Sequence, residues 1–467
     1  MKIYCLFISI MMFILFIIGS PAVKAQETAE ETSASTDTQE GPSIFERRMD
    51  IINFGTETEI ASLIQTLRSE RDFSLDDVLI GVAQTSRNRN IMTGIFSFFG
   101  ERAEKGLETR AIRIINERDT EVNEVVFSAI DYLGWVNAVQ GVDVLIEMLN
   151  SGETRFLNNV IRAMGRAAKG DNAAADRVAE LLLKYYDDAN PSNESQREII
   201  ISLGEAGSSL PVSFLSEIIR NPDERFGLKM VALEALGKIA DPSGLDAIIE
   251  AVSATDPNVR ASAIAALGPF SGEEVDTAIL DGFRDSFVRT RIGAAQAAGS
   301  RKLEAAVPFL RFRAENDENV QVRDEAIKAL GAIWSSESIV VLESIFQNRR
   351  GSDRLRILSG EMLLENNALE YTGRVIVELE EARTSNQTAL YNGFLRILGP
   401  IISPDLETLA SRFLANGSVI EKLYALDMAA NNNFTSLEEA IRSCLDERRN
   451  GAAIARRAET TLEKLGL

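Results

Sequence analysis

The 467-residue sequence predicts an all-α fold, an α-α superhelical solenoid of stacked helix pairs. Three observations predict it. The first is a repeat. An apolar residue followed by glycine recurs at Gly100, Gly134, Gly165, Gly204, Gly237, Gly268, Gly299, Gly331, Gly399 and Gly466, with Leu364 and Ala430 where two further glycines would fall. The spacing averages about 33 residues, a period typical of stacked arrays. The second is a set of columns. The residue before the glycine position is apolar in all twelve segments, and the residue four before is apolar in all but one, where Gly360 stands. Those positions, with the frequent alanine five before, share one face of a helix. The third is the lack of strand signals: no alternating Val/Ile/Thr run is bounded by Asn-Gly or Asp-Gly.

The chain begins with a segment of a different kind. Lys2 precedes an apolar run from Tyr4 to Ile18 broken only by Ser9. Gly19, Ser20 and Pro21 end the run, and Val23-Lys24-Ala25 puts small residues at the −3 and −1 positions of a cleavage site. Residues 1–25 are therefore expected to be a signal peptide cleaved after Ala25, with retention as an anchor as the alternative. The run is shorter than the roughly 20 residues a membrane span needs, and no later segment is long and apolar enough. Residues 26–43 carry Glu27, Glu30, Glu31, Asp37 and Glu40 and no Lys or Arg. They have little to bury and are expected to form an acidic, disordered linker. Losing Lys2 and Lys24 takes the net charge from −21 to −23. That charge argues against a nucleic-acid partner, because phosphate binding needs a basic surface.

Residues 44–467 form the repeat region, expected to hold about twelve units. Between Gly237 and Gly268, Leu245, Ile248, Ile249 and Val252 make the apolar stripe of a first helix. Thr255-Asp256-Pro257 turns the chain, with Pro257 placed to open the second helix. The repeated glycine is expected in the left-handed position that ends that second helix. A divergent first unit is expected to end at Gly55, with an extra helix around Leu75 to Ala83 in the gap before Gly100. Twelve units with helices about 8–10 Å apart give a body on the order of 100 Å along its curved axis.

The stretch Asp256-Pro257-Asn258-Val259-Arg260-Ala261-Ser262-Ala263-Ile264-Ala265-Ala266-Leu267-Gly268 resembles the HEAT repeat, in the short form also found in bilin-lyase-like proteins. Asp317 to Gly331 and Val288 to Gly299 look similar, and the likeness is most specific over residues 221–331. The resemblance implies HEAT-like helix pairs in an exported bacterial HEAT repeat protein. It also implies a role for the column eight before the glycine, Lys229, Arg260, Arg291 and Arg323. In the family such side chains meet turn carboxylates, here such as Asp256, in a structural ladder between repeats.

Composition limits the chemistry. The sequence has no histidine, and its two cysteines are Cys5 and Cys444. His-dependent nucleophile pairs, His-ligated metals and Cys-rich metal sites are excluded. No catalytic, cofactor-binding or metal-binding residue is expected. The loop Asp187 to Glu194 offers oxygen ligands, but a calcium loop starting at Asp188 would need glycine at Asn193 and glutamate at Ile199. A solvated turn is the better expectation. The column three before the glycine is mostly polar and includes Arg162, Glu234, Gln296, Lys328 and Arg396. It points away from the apolar stripe by helical geometry and is the candidate partner-binding surface. The resemblance to HEAT-like arrays, whose second helices usually line the concave side, implies that it runs along the groove. The expected function is a non-enzymatic exported scaffold or adaptor, periplasmic or secreted, that binds a protein through that face. The alternatives are a cofactor-handling or lyase-like enzyme on the same scaffold and a self-associating envelope protein.

Overall fold

A computed structural model of the chain describes residues 43–467. The expectations for the signal peptide and for residues 26–42 of the linker lie outside the described residues. Ser43 is not linker: it caps the first helix. Its hydroxyl accepts from the Glu46 N–H while its own N–H donates to the Glu46 carboxylate, a reciprocal capping box.

The described residues contain 27 α-helices and no strand. In the first third, α1 (Ile44–Phe54) pairs with α2 (Glu57–Glu70), α3 (Asp76–Thr85) with α4 (Arg89–Gly100), α5 (Glu108–Asn116) with α6 (Asn123–Trp135), and α7 (Val142–Asn150) with α8 (Leu157–Ala168). The middle holds α9 (Asn172–Ala189) and α10 (Asn193–Ala206), α11 (Val212–Arg220) and α12 (Phe226–Ile239), α13 (Leu245–Val252) and α14 (Pro257–Ala266), α15 (Glu273–Gly282) and α16 (Val288–Ser300), then α17 (Val307–Asn316) and α18 (Val320–Ile333). The last third holds α19 (Ser336–Gln347) and α20 (Asp353–Asn366), α21 (Ala368–Thr384) and α22 (Thr388–Leu398), α23 (Leu406–Asn416) and α24 (Val419–Asn432). The short α25 (Glu438–Arg442) and α26 (Glu447–Asn450) precede α27 (Ala452–Leu465).

These make thirteen units, one more than the period suggests. The difference lies at the start. Arg47 to Gly55 belongs to the first helix of a pair, not to the end of a unit, and the stretch before Gly100 holds α2, α3 and α4. The Asp187 to Glu194 stretch is the end of α9 and the start of α10, with Asn190 left-handed at φ 43°.

Second helices stack on one another in series from α2 to α27, whereas neighbouring first helices meet far less. An array whose one layer is packed closer bends toward that layer, so the second helices line the inside of the curve. The residues before the repeat glycines build this layer's core: Leu133, Leu203, Leu236, Leu267 and Leu330 are all buried. Each such leucine contributes about 1.5–3 kcal/mol. The apolar core forms two stretches, Leu63 to Ala206 and Ile200 to Leu462, which meet at α10.

The repeat glycine has a different role from the expected one. Only Gly466 among them has positive φ. The left-handed residue that ends the second helix falls three later, at Ala103, Asn137, Gly207, Ala240, Lys302, Trp334 and Asn433. The glycine serves close approach instead. A Cβ on Gly204 would lie 2.7 Å from the Ala235 Cα, on Gly237 3.0 Å from the Ala266 Cα, on Gly299 3.1 Å from the Ala329 Cα, and on Gly134 3.1 Å from the Ala163 Cα. At Gly165 the neighbour is the Ser202 carbonyl oxygen, at 2.2 Å. At Gly100, Gly331 and Gly399 the neighbour is instead the side chain of Trp135, Met362 or Tyr424, but in the five pairs above the partner is the small residue two before the next unit's glycine. Backbone faces backbone there, so neither side has a flexible group to move aside.

The body also closes. The backbone N–H of Ile44 on α1 donates to the Glu463 carboxylate on α27 at 2.9 Å, and Arg47 meets Glu459 at 3.0 Å. The curved axis expected to extend on the order of 100 Å therefore returns on itself.

The glycine contact makes a direct prediction. Gly204→Ala is expected to destabilise by about 1–3 kcal/mol, since overpacking outweighs the gain of up to about 1 kcal/mol in helix propensity. Gly227→Ala on α12 has nothing within 4 Å of the new Cβ and is expected to be neutral or stabilising. Thermal melts of the two variants distinguish a packing role for the repeat glycine from a mere propensity effect.

Candidate functional site

Two polar systems follow the stack. The first is at the turns. On α14, Arg260 Nε and Nη2 donate to the Asp285 carboxylate of the next unit at 3.0 and 3.3 Å, while Nη1 donates to the Ala254 and Thr255 carbonyls of its own turn. On α16, Arg291 repeats this with Asp317 at 2.8 and 3.0 Å and with the Asp285 and Ser286 carbonyls. Asp285 and Asp317 also accept from the backbone N–H groups of Phe287 and Asn319. Arg313 adds a second cation beside Asp317 at 3.3 Å. A planar guanidinium suits both tasks, because its fork spans a carboxylate while the third nitrogen reaches carbonyls.

Only part of the expected ladder takes this form. Arg323 binds its own turn at the Asp317 and Glu318 carbonyls, but the next turn, residues 348–352, carries no carboxylate. Asp256 is not an arginine partner. It caps α14, accepting from Asn258 and Val259 N–H at 2.9 and 3.1 Å. Lys229 is half-buried on α12 and forms no fork with that turn. Its single ammonium cannot bridge a carboxylate as a guanidinium does.

The second system is the column three before the glycine. None of its twelve residues is buried. It is not a row of free charges. Arg162 Nε donates to Glu198 of the next second helix at 2.9 Å, and Gln296 reaches Glu325 at 3.4 Å. Glu234 accepts from Lys238, which also holds Glu205 of the preceding unit. Lys328 pairs with Glu325 at 2.8 Å, and Arg396 lies 3.7 Å from Glu361. Asn159 donates to Asp131 in the same column, and Arg457 pairs with Asp427. Partial removal from water holds the carboxyls of half-buried Asp131 and Asp427 above the ordinary aspartate value in spite of these partners. Sequence reasoning identified the column but missed its partners, three of which, Asn159, Glu198 and Glu325, sit six before a repeat glycine.

The structure brings two of the five predicted binding residues to one place. Lys328 of α18 and Arg396 of α22 flank a cleft of about 490 Å³ on the inner face, crossed by α20. Half-buried Ile357 and Leu358 give it an apolar floor. Arg354 of α20, Asp324 of α18 and Glu361 complete a rim of mixed charge, with Arg354 held on Asp324. Gly393 of α22 opens the floor: a Cβ there would fall 2.1 Å from the Ile357 Cδ1. Arg162, Glu234 and Gln296 lie elsewhere along the stack and are not part of this cleft. Among the described residues no group of three His, Cys, Asp or Glu is placed to hold a metal ion. No described helix is long and apolar enough to cross a membrane.

Thirteen stacked helix pairs, with a close-packed inner layer and arginine forks at the turns, define an α-solenoid of the HEAT type. A family model described as the spirochaete HEAT repeat protein matches residues 52–461, and the chain belongs to that family. No curated protein matches it. Among solved structures, the chain is similar to human deoxyhypusine hydroxylase in complex with glycerol, at 16% identity over 55% of this chain and 96% of that one, with a TM-score of 0.24. It is also similar to an engineered protein, at 15% identity over 87% and 99%, TM-score 0.32. A third likeness is to Kap121p, at 12% identity over 90% of this chain and 51% of that one, TM-score 0.40.

The forks carry a pH-dependent prediction. Burial alone would push the Asp317 carboxyl up, but the bonds from Arg291 and the Asn319 N–H and the charges of Arg291 and Arg313 hold it below the ordinary aspartate value. A carboxyl held low stabilises the fold above its unfolded pKa of about 3.9 and loses that contribution as pH falls through its folded value. Arg291→Ala leaves a buried carboxylate without its main partner and is expected to cost about 3–5 kcal/mol at neutral pH. The gap between the variant and the original chain should narrow once the pH drops below about 4. Melts of both proteins from pH 7 to pH 3 check this; a pH-independent gap would count against an electrostatic role.

Proposed function

We propose that this protein is an exported, non-enzymatic scaffold that binds a protein partner through the inner face of its solenoid. The observation that carries this reading is the cleft between α18, α20 and α22. It pairs an apolar floor, Ile357 and Leu358, with cations and carboxylates on its rim. A protein segment offering an apolar side chain between polar groups matches that arrangement, since interfaces combine an apolar centre with a polar rim. Long curved surfaces of repeat proteins are commonly used in this way. Export rests on the residues before the solenoid, and N-terminal sequencing of the mature protein is expected to begin at Gln26.

The test is a pair of substitutions in the cleft. Lys328→Ala with Arg396→Ala removes two exposed ion pairs, each worth about 0–1 kcal/mol to the fold. The melting temperature is expected to change by no more than a few degrees, while recovery of partners crosslinked in intact cells falls at least about tenfold, the factor that 1.4 kcal/mol of lost affinity produces. Undiminished recovery by the double variant would move the binding surface away from this cleft.

A further inference from the structure

The contact between α1 and α27 differs from every other contact between units. Each consecutive pair of second helices is packed in series along the stack. At the closure, two polar contacts span 412 and 419 residues of sequence: Arg47 to Glu459, and the Ile44 N–H to Glu463. Beside them α2 and α27 face each other across a cleft of about 590 Å³ bordered by Leu63, Thr66, Arg456 and Thr460. Neither stretch of the apolar core runs across it: one begins at Leu63 and the other ends at Leu462. Ile44 is buried there but belongs to neither stretch. No close glycine contact joins the two helices either, because Gly466 is in the left-handed conformation with nothing within 4 Å of its Cβ position.

We infer that residues 43–467 form a closed ring with one weak joint, between α1/α2 and α27, and that the ring opens and recloses at this joint. Arg47 and Glu459 are 49% and 39% exposed, so their attraction acts largely through solvent. Such a pair adds little on its own and is weakened by salt. Each of the other junctions lies within one of the two apolar stretches or at α10, where residues of both share one helix, and separating it would expose apolar surface. A small change of twist at each of twelve packed junctions sums to a large displacement at the joint, as expected of a quasi-one-dimensional stack. Opening is a property of the body alone and does not depend on what it binds. Its effect is to turn a closed inner face into one that an elongated molecule can enter from the side.

The experiment measures the distance across the joint in the full chain, with Cys5→Ser and Cys444→Ala as background. Spin labels go at Asp50→Cys on α1 and Ala453→Cys on α27, both exposed positions outside the two polar contacts. A control pair, Ala265→Cys and Gln296→Cys, spans the ordinary junction of α14 and α16. At about 0.01 M salt the Debye length is roughly 30 Å, and at 1 M it is roughly 3 Å. A short-distance population across the joint should dominate at low salt and be lost at 1 M, while the control distance stays fixed. Arg47→Glu should remove the short population at low salt, and Arg47→Glu with Glu459→Arg should restore it. A short distance that survives both 1 M salt and Arg47→Glu would overturn the inference, as would a long distance at low salt in the unsubstituted joint.

Discussion

Successive second helices touch backbone to backbone, and the rest of the structure is arranged around that contact. Gly134, Gly204, Gly237 and Gly299 each present a bare Cα to an alanine of the following unit. No side chain separates the helices at that level, so their spacing is set by backbone dimensions rather than by rotamers. Side chains larger than alanine are then placed above and below the contact, where Leu133, Leu236 and Leu330 fill the space toward the first helices. Neighbouring first helices meet far less closely. Unequal spacing in the two layers is what bends the array, with no special residue at any one place producing the bend. The succession is loosest between α22 and α24, where Gly399 faces the ring of Tyr424 instead of an alanine backbone.

A strongly acidic chain that uses arginine at its joints is using it to offset its own charge. Asp285 and Asp317 sit where two units meet and a turn must be sharp. Each is answered by a guanidinium from the unit before and by a backbone N–H from its own turn. The same economy governs the inner face, where Arg162, Lys238 and Arg396 each lie against a glutamate of a neighbouring unit. These pairs are partly exposed, and their value lies less in stability than in fixing which side chains stand next to each other along the curve.

The architecture was legible because a stack repeats its contacts, and repeated contacts leave columns. The apolar positions one and four before the glycine needed no structure to be assigned. The glycine itself was misread because two physical needs, close approach and a left-handed cap, both select glycine. The cap falls three residues later, where Asn137, Gly207 and Asn433 favour positive φ but Ala103, Ala240, Lys302 and Trp334 do not, so the column carries no consistent signal. The small-residue column that receives the glycine, Ala163, Ala235, Ala266 and Ala329, was present in the sequence but hidden among many other alanines. Asp256 was assigned to the wrong partner because a turn aspartate can cap its own helix or meet the preceding unit's arginine, and only geometry decides. The meeting of α1 and α27 was not legible at all. It depends on a small rotation summed over thirteen units, and no local pattern records that sum.

Touching ends also alter how such a body loses its structure. A linear stack has two terminal units, each with one neighbour instead of two, and melting normally begins there and works inward. Here each terminal unit has some of its missing neighbour supplied by the other, through Ile44 and Arg47 on one side and Glu459 and Glu463 on the other. Fraying at one end thus withdraws support from the opposite end. Units that are farthest apart in the chain become coupled in cooperativity, and the contact, although thin, lets the first and the last unit share a fate.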